Sequence, residues 1–378
     1  MPQKRARAIV VGAGPGGLTA AVSLQRAGHQ VVVCEQAARF PAVGFGLTLW
    51  PNATSALDAI GLLPRLATIG RPLTAIAMKD WRGRTLFQDS LLHPRWGPRF
   101  PSFVVLRAEL VDVLAAAFAD AIMFGTRVVG VKQEADLVVA QLADGHELAG
   151  DLLVGADGLH SAIRPALIGQ RAPLRNAGYV VWRGIADAPC EASTGTTWMG
   201  PAKQFGLFPL TARRAYWFAA SKAAGAAGPA RDILDAAFAD APHPIPRFIA
   251  QTSDAAILLT PICDRSPLRR WSFGRCTLLG DAAHPATPTL GQGACQAIED
   301  GVTLGACLAA DKDPVSALRR YEVKRVVRAN GFVLEARRLG KLGQWESPLP
   351  CWWRDRLIGA MPAAIRRKQL ARMFEFAI

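Results

Sequence analysis

Residues 8–11 form an unbroken apolar run, the mark of a strand buried on both faces. The run ends at Gly12-Ala13-Gly14-Pro15-Gly16-Gly17. Residues 18–27 then carry helical spacing and stop at Gly28, where glycine suits a helix terminus. Residues 30–34 are a second apolar strand delivering Glu35 at its end, so the segment predicts a complete βαβ unit. Residues 106–118 put Leu110, Val113, Leu114 and Phe118 on one helical face. Alternation with period two returns over residues 128–132, 138–142 and 147–148, with Asp144-Gly145 as a hairpin turn. Residues 152–154 then lead into Gly155-Ala156-Asp157-Gly158.

Between about residues 179 and 260 the pattern changes to short aromatic-rich runs broken by turn residues, such as Tyr179-Val180-Val181-Trp182-Arg183 and Ala215-Tyr216-Trp217-Phe218. These predict an antiparallel sheet inserted into the α/β fold, with residues 76–87 adding strands to it. Residues 223–229 are expected as a loop, 233–238 as a helix, 292–308 as a helix and 315–342 as one long helix. The expected fold class is therefore α/β. A Rossmann-like nucleotide-binding domain would be assembled from residues 1–75, 101–178 and 261–330. The inserted β-sheet domain would take 76–100 and 179–260, and C-terminal helices would take 331–378.

Bulk properties narrow the class. A chain of 378 residues with 51% hydrophobic and 20% charged content is ordinary for a globular protein of two lobes. Its net charge of +14 raises nucleic-acid binding, but the basic residues are scattered, no run exceeds Arg366-Arg367-Lys368, and no nucleic-acid motif accompanies them. Seven cysteines include no Cys-x-x-Cys pair, so neither a metal site nor a disulfide framework is expected and a reducing cytoplasm is the expected compartment. Lys4 and Arg5 before residues 8–11 imitate a signal peptide, yet the glycine cluster interrupts the apolar run after four residues. No window approaches the ~18 uninterrupted apolar residues of a membrane span. Trp352-Trp353 followed by Arg354, Arg356, Arg366, Arg367 and Lys368 could form a basic amphipathic surface for a membrane, with packing against the nucleotide-binding domain as the other reading.

The candidate chemistry begins at the glycines. Gly12 permits a sharp turn, Gly14 lets the Ala13-Gly14 backbone approach a diphosphate, and Gly17 lets helix and strand pack closely. The helix N-terminus then offers unpaired N–H groups to phosphate. Glu35, 18 residues beyond Gly17, can accept from a ribose 2′-hydroxyl. A second motif, Gly280-Asp281-Ala282-Ala283-His284-Pro285 with Gly291-Gln292-Gly293-Ala294, runs into a helix. A third, Asp157 with Ser161 and Arg164, stands between them. For Asp157 and Asp281 a capping or turn role is the competing reading.

These three motifs in this order resemble the single-component FAD-dependent monooxygenases with the p-hydroxybenzoate hydroxylase fold. Salicylate hydroxylases, urate hydroxylases and epoxidases are the most similar members. The resemblance covers most of the chain. It implies non-covalent FAD, NAD(P)H as a transient co-substrate and O2, with oxygen transferred through a flavin C4a-hydroperoxide to hydroxylate or epoxidise a small apolar, aromatic or polycyclic substrate. It implies FAD contacts from Gly12, Ala13, Gly14, Gly17, Glu35, Gln36, Leu47, Arg107, Val128, Asp157, Asp281, Gly291, Gln292, Gly293 and Ala294. Cys295 stands where many relatives have Asn. Residues 44–53, with Pro51-Asn52, match a loop along the flavin edge. A non-redox flavoprotein, cyclase-like, or a non-catalytic flavin-binding protein are the alternatives, and a monomer or homodimer is expected.

Trp182, Phe205 and Trp217 are expected to line the substrate pocket, with sheet core as the competing reading. Gln204, Tyr216, Arg183 and His284 are the candidates for acting on the substrate, with a structural role in the Asp281 motif as the competing reading for His284. Urate-hydroxylating relatives place an arginine where Gln204 stands here, which argues against an anionic ring.

Overall fold

The computed structural model describes residues 6–41, 44–94, 96–97, 99–169, 173–190, 193–222 and 228–378. The expected loop at residues 223–229 lies mostly outside the described residues, as do Lys4 and Arg5.

Strand Arg7–Val11 is the centre of a six-stranded sheet because its alternate faces are both apolar and both covered. Gln30–Cys34 lies parallel to it on one side and Leu152–Gly155 parallel on the other, in register Val10 to Val33 and Val10 to Val154. Ile122–Met123 extends one edge, and Cys276–Leu278 with the antiparallel Ser272–Phe273 the other. Helix Pro15–Arg26 leaves the first strand through the glycine loop and packs against helix Gly293–Ala310. Glycines on that second helix permit the close approach: a Cβ on Gly301 would stand 2.6 Å from the Ala20 nitrogen, and one on Gly305 2.5 Å from the Ser23 Cβ. Side chains longer than hydrogen there would force the two helices apart.

Strands Val128–Gln133, Val138–Leu142 and Glu147–Gly150 form the expected antiparallel hairpins. A further three-stranded sheet, Gly46–Leu49, Ser102–Leu106 and Arg71–Leu73, was not apparent from periodicity, because each piece is only three to five residues long.

The aromatic-rich region folds into a seven-stranded sheet in the order Leu258–Asp264, Arg175–Ala186, Ala215–Ser221, Lys203–Pro209, Thr194–Gly200, Ala75–Asp80, Thr85–Ser90. One pairing corrects the antiparallel expectation: Thr194–Gly200 runs parallel to Ala75–Asp80. Those two strands come from separate passages of the chain, and no hairpin constrains their direction. Helices Ala230–Ala237 and Ile245–Ala250 cover the outer face of this sheet, where Trp182, Phe205, Trp217, Leu234 and Phe248 form a second core. The long helix is Pro314–Gly343, its first amides capped by the Asp313 carboxylate. Helices Pro348–Ala360 and Ala363–Phe374 follow. The last returns to the six-stranded lobe, where Phe374 stacks on Trp50 at 5.5 Å.

Candidate active site

A cavity of about 590 Å3 separates the glycine loop from the inner face of the seven-stranded sheet. On the loop side its wall is Gly14 to Gly17, Arg107, Asp281, Gly291, Gly293 and Ala294. A smaller cavity of about 130 Å3 shares Gly14 and Arg107 with it and is bounded by Ala13, Glu35 and Phe40.

The glycine loop is built as the motif requires. Gly12 adopts φ 101°, and a Cβ there would lie 2.5 Å from the Ala156 carbonyl oxygen; one on Gly17 would lie 2.0 Å from that of Gly12. At Gly14 the space is instead open, the Arg107 guanidinium at 3.8 Å being the one near neighbour among the described residues. Helix Pro15–Arg26 has no side-chain cap and no acid in its first turn. Its free N–H groups therefore point at open space with a cation beside them, a fitting cradle for phosphate. Glu35 Oε2 accepts from the Ala13 amide at 2.8 Å and Oε1 from Ala37 at 2.9 Å, which fixes the carboxylate at the mouth of the smaller cavity.

Burial lowers the Arg107 pKa, against which Glu35 and Asp281 act. Asp281 is open to the large cavity, yet enclosure by protein raises its pKa, opposed by His284 and Arg107. A second helix, Gly293–Ala310, also begins at the cavity wall without a side-chain cap or a first-turn acid. A Cβ on Gly293 would meet nothing within 4 Å. Two uncapped helix N-termini, one cation and two separated carboxylates fit a dinucleotide with a polar chain and a flat ring, as in FAD.

The turn bearing Asp281 is held from behind by a buried polar network that sequence spacing did not reveal. Asp300 accepts from the Gly280 amide at 3.0 Å, His284 Nε2 at 2.6 Å and Arg325 Nε at 2.7 Å. Glu299 beside it accepts from Arg325, Arg328 and Asn52. Burial opposes ionisation of Asp300, but His284 and Arg325 outweigh it and hold its pKa at about 2. The only sequence signal was an adjacent acid pair inside an otherwise apolar helix.

Several expected site residues are elsewhere. Trp182, Phe205 and Trp217 are fully buried in the core behind the sheet; their odd- or even-numbered neighbours Val181, Arg183, Gln204, Tyr216 and Phe218 line the cavity. Strand alternation makes the two sets mutually exclusive. His284 is buried against Asp300 and Trp271 and off the cavity wall, which corrects its candidacy as an acid–base group. Asp157 likewise faces away: Oδ2 accepts from the Ala162 and Ile163 amides at 2.7 and 3.1 Å, at the start of helix Ile163–Ile168. Arg164 then ties that helix to the Asp281 turn by donating to the Ala282 and Ala283 carbonyls. Gln292 turns into the buried network, accepting from Asn52, Val128 is core, and Gln36 is exposed; none lines either cavity. Leu47 does line the large one.

On the sheet side Tyr216 packs across the Gly46 backbone, where a Cβ would lie 2.3 Å from its ring. Burial raises its pKa against the Arg183 charge, so it stands as a neutral phenol donor. Arg183 spreads over the Phe45 ring at 5.0 Å and donates to Thr260 Oγ1 at 3.3 Å. Gln204 reaches the cavity from beside Gly343 of the long helix. Tyr179, Thr287 and Thr289, missed in the sequence, line the wall between sheet and flavin side.

Residues 5–336 match the family model described as FAD binding domain, and the chain belongs to that family. It is 39% identical to the aurachin C monooxygenase/isomerase of Stigmatella aurantiaca over 360 residues, 93% of this chain and 94% of that protein. It is 38% identical to an FAD-dependent urate hydroxylase of Klebsiella pneumoniae over 343 residues, 88% and 89% of the two chains. The structure superposes with TM-score 0.91 on an arginine-to-glutamine variant of HpxO from Klebsiella pneumoniae complexed with FAD, at 34% identity, covering 98% of each chain. HpxO complexed with FAD and uric acid matches at TM-score 0.91 and 33% identity, over 97% and 96% of the chains. The chain is thus an FAD-dependent monooxygenase of the class A hydroxylase type, and the non-redox alternatives fall away. No described helix is long and apolar enough to cross a membrane.

Proposed function

We propose that this monooxygenase oxygenates a flat, largely apolar aromatic or fused-ring substrate that carries no full negative charge. The observation that carries this reading is the inner face of the seven-stranded sheet. There Val181, Phe208, Phe218 and Met78 accompany Gln204, a neutral amide where urate hydroxylases are expected to place arginine. A charged ring buried here would need a cationic partner, and Arg183 is the cation that the sheet side of the cavity offers.

The flavin side acts by binding and orientation. The N–H groups opening helix Pro15–Arg26, with Arg107, would hold the diphosphate, Glu35 the adenosine ribose, and Asp281 the polar chain leading to the flavin ring. When bound, FAD supplies the redox chemistry, taking hydride from NAD(P)H and activating O2. Tyr216, Gln204 and Arg183 orient the substrate by hydrogen bonds to a ring oxygen or nitrogen, while Phe208 and Phe218 exclude water from the reacting atoms.

Arg183 favours a second reading, because among the described residues no carboxylate pairs with its guanidinium, and an anionic ring would. One experiment separates the two. Neutral phenols, indoles and terpenoids are titrated against benzoates and urate, following stimulated NAD(P)H oxidation and oxygenated product. Neutral compounds are expected to couple to product. Coupling by carboxylates or urate alone, abolished in Arg183→Met, would make Arg183 an anion anchor and overturn the proposal.

A further inference from the structure

Helix Pro348–Ala360 carries its large apolar side chains toward solvent. Its inner face is pinned: Cys351 is buried and contacts the Trp345 carbonyl at 3.2 Å, and the Arg354 guanidinium reaches the Gly200 and Leu342 carbonyls at 3.4 Å. The opposite face repeats at helical spacing through Leu349, Trp352, Trp353, Arg356, Leu357 and Ala360. Leu349, Trp352, Trp353 and Leu357 are 66%, 46%, 54% and 67% exposed. The two indoles meet edge to face at 4.8 Å, and Arg356 lies 4.9 Å over Trp352. A helix that packs on its own fold normally turns this stripe inward.

The exposed charge around the stripe is predominantly positive. Helix Ala363–Phe374 follows after two intervening residues and exposes Ile365 with Arg367, Lys368 and Arg372. The nearby acids are already engaged: Asp355 with Arg354, Glu346 with Lys222 and Asp89 with Arg366.

We propose that this face docks on an anionic lipid bilayer. Indoles carry an apolar body and one N–H donor, which suits them to the boundary between acyl chains and headgroups. Exposed Arg and Lys beside them bind anionic headgroups. A second copy of the chain fits less well. A two-fold dimer would press the same patch on itself, bringing Arg356, Arg367, Lys368 and Arg372 against their own kind. The docked face also adjoins the substrate cavity. Gly359 packs over the Leu86 backbone, and the Phe87 ring that forms part of the cavity wall carries Arg366 at 5.1 Å. Access of an apolar substrate from lipid rests on the function proposed above; docking itself does not.

The test is sedimentation of the FAD-loaded protein with phosphatidylcholine vesicles with and without phosphatidylglycerol. Binding is expected with phosphatidylglycerol, and to weaken at least about tenfold when it is omitted or when salt is raised. The same loss of at least about tenfold is expected for Trp352→Ser with Trp353→Ser, and separately for Arg367→Glu with Lys368→Glu. Unchanged FAD content shows that the variants fold. No sedimentation of the wild type, or equal sedimentation of the variants, overturns the proposal. So does a wild-type dimer in solution that the tryptophan variant dissociates while neither protein binds vesicles. Because no substrate is present, these results are independent of whether the substrate class is right.

Discussion

Replacing Asp300 by Asn keeps the shape of the side chain and removes its charge. Asp300 Oδ2 accepts from Gly280 and His284 while Oδ1 accepts from Arg325. An amide can keep its oxygen toward Gly280 and His284 only by turning its NH2 toward the Arg325 guanidinium, donor against donor. Breaking one partner of a buried ion pair costs about 3–5 kcal/mol. The lower end applies, because Arg325 keeps Glu299 and the Gln296 amide oxygen. An unfolding entropy of about 2.1 cal/mol/K per residue is roughly 0.8 kcal/mol/K for a cooperative unit of this size, so a loss of about 3 kcal/mol lowers Tm by about 4 °C. The Asp300 pKa of about 2 adds a pH signature. A carboxylate depressed in the folded state contributes stability that is complete above its unfolded value of about 3.9 and is lost as pH falls toward 2. That contribution is roughly 2–3 kcal/mol and is absent from the variant, so the Tm gap between the two proteins narrows across this window. Calorimetry from pH 7 to 2.5, with FAD affinity measured at pH 7, checks both. A Tm within about 1 °C of wild type at pH 7, with unchanged FAD affinity, would refute the assignment of Asp300 as the anchor of the Asp281 turn.

Asp281→Ala removes acceptors for hydrogen bonds worth about 1.5–3 kcal/mol each, so FAD binding is expected to weaken at least roughly tenfold with the fold intact, measured by flavin fluorescence; unchanged affinity would leave Asp281 a turn residue. Trp217→Ala should lower stability by about 3–5 kcal/mol with little effect on KM, whereas Phe218→Ala, one residue along, should raise KM; equal KM changes would contradict the strand register. Burial pushes the Cys34 thiol up to about 11 and those of Cys276 and Cys295 to about 12, so these three should resist iodoacetamide at pH 8 in the native protein. Cys263, on the cavity wall, should react and be protected by bound substrate, as peptide mass mapping would show.

The glycine loop, Glu35 and the Asp281 turn were legible in the amino-acid sequence because each depends on local backbone chemistry. Only glycine serves at Gly12 and Gly17, and an acid closing an apolar strand can hardly be core. The long helix was equally legible, since a single apolar period persists over its length. The sheet was legible as strands but not as faces. Along strand Ala215–Ser221 both sides are largely apolar, one packed on helices and the other turned to the cavity, so alternation there carried no polar label to show that Tyr216 and Phe218 face the cavity while Trp217 does not. Only the packing of helices Ala230–Ala237 and Ile245–Ala250 over one side decided it. Asp300 was hidden for a related reason: its partners are the Gly280 amide, His284 and Arg325, 16 to 25 residues away. A buried charge is stable only where such distant donors converge, and convergence is a property of the folded chain.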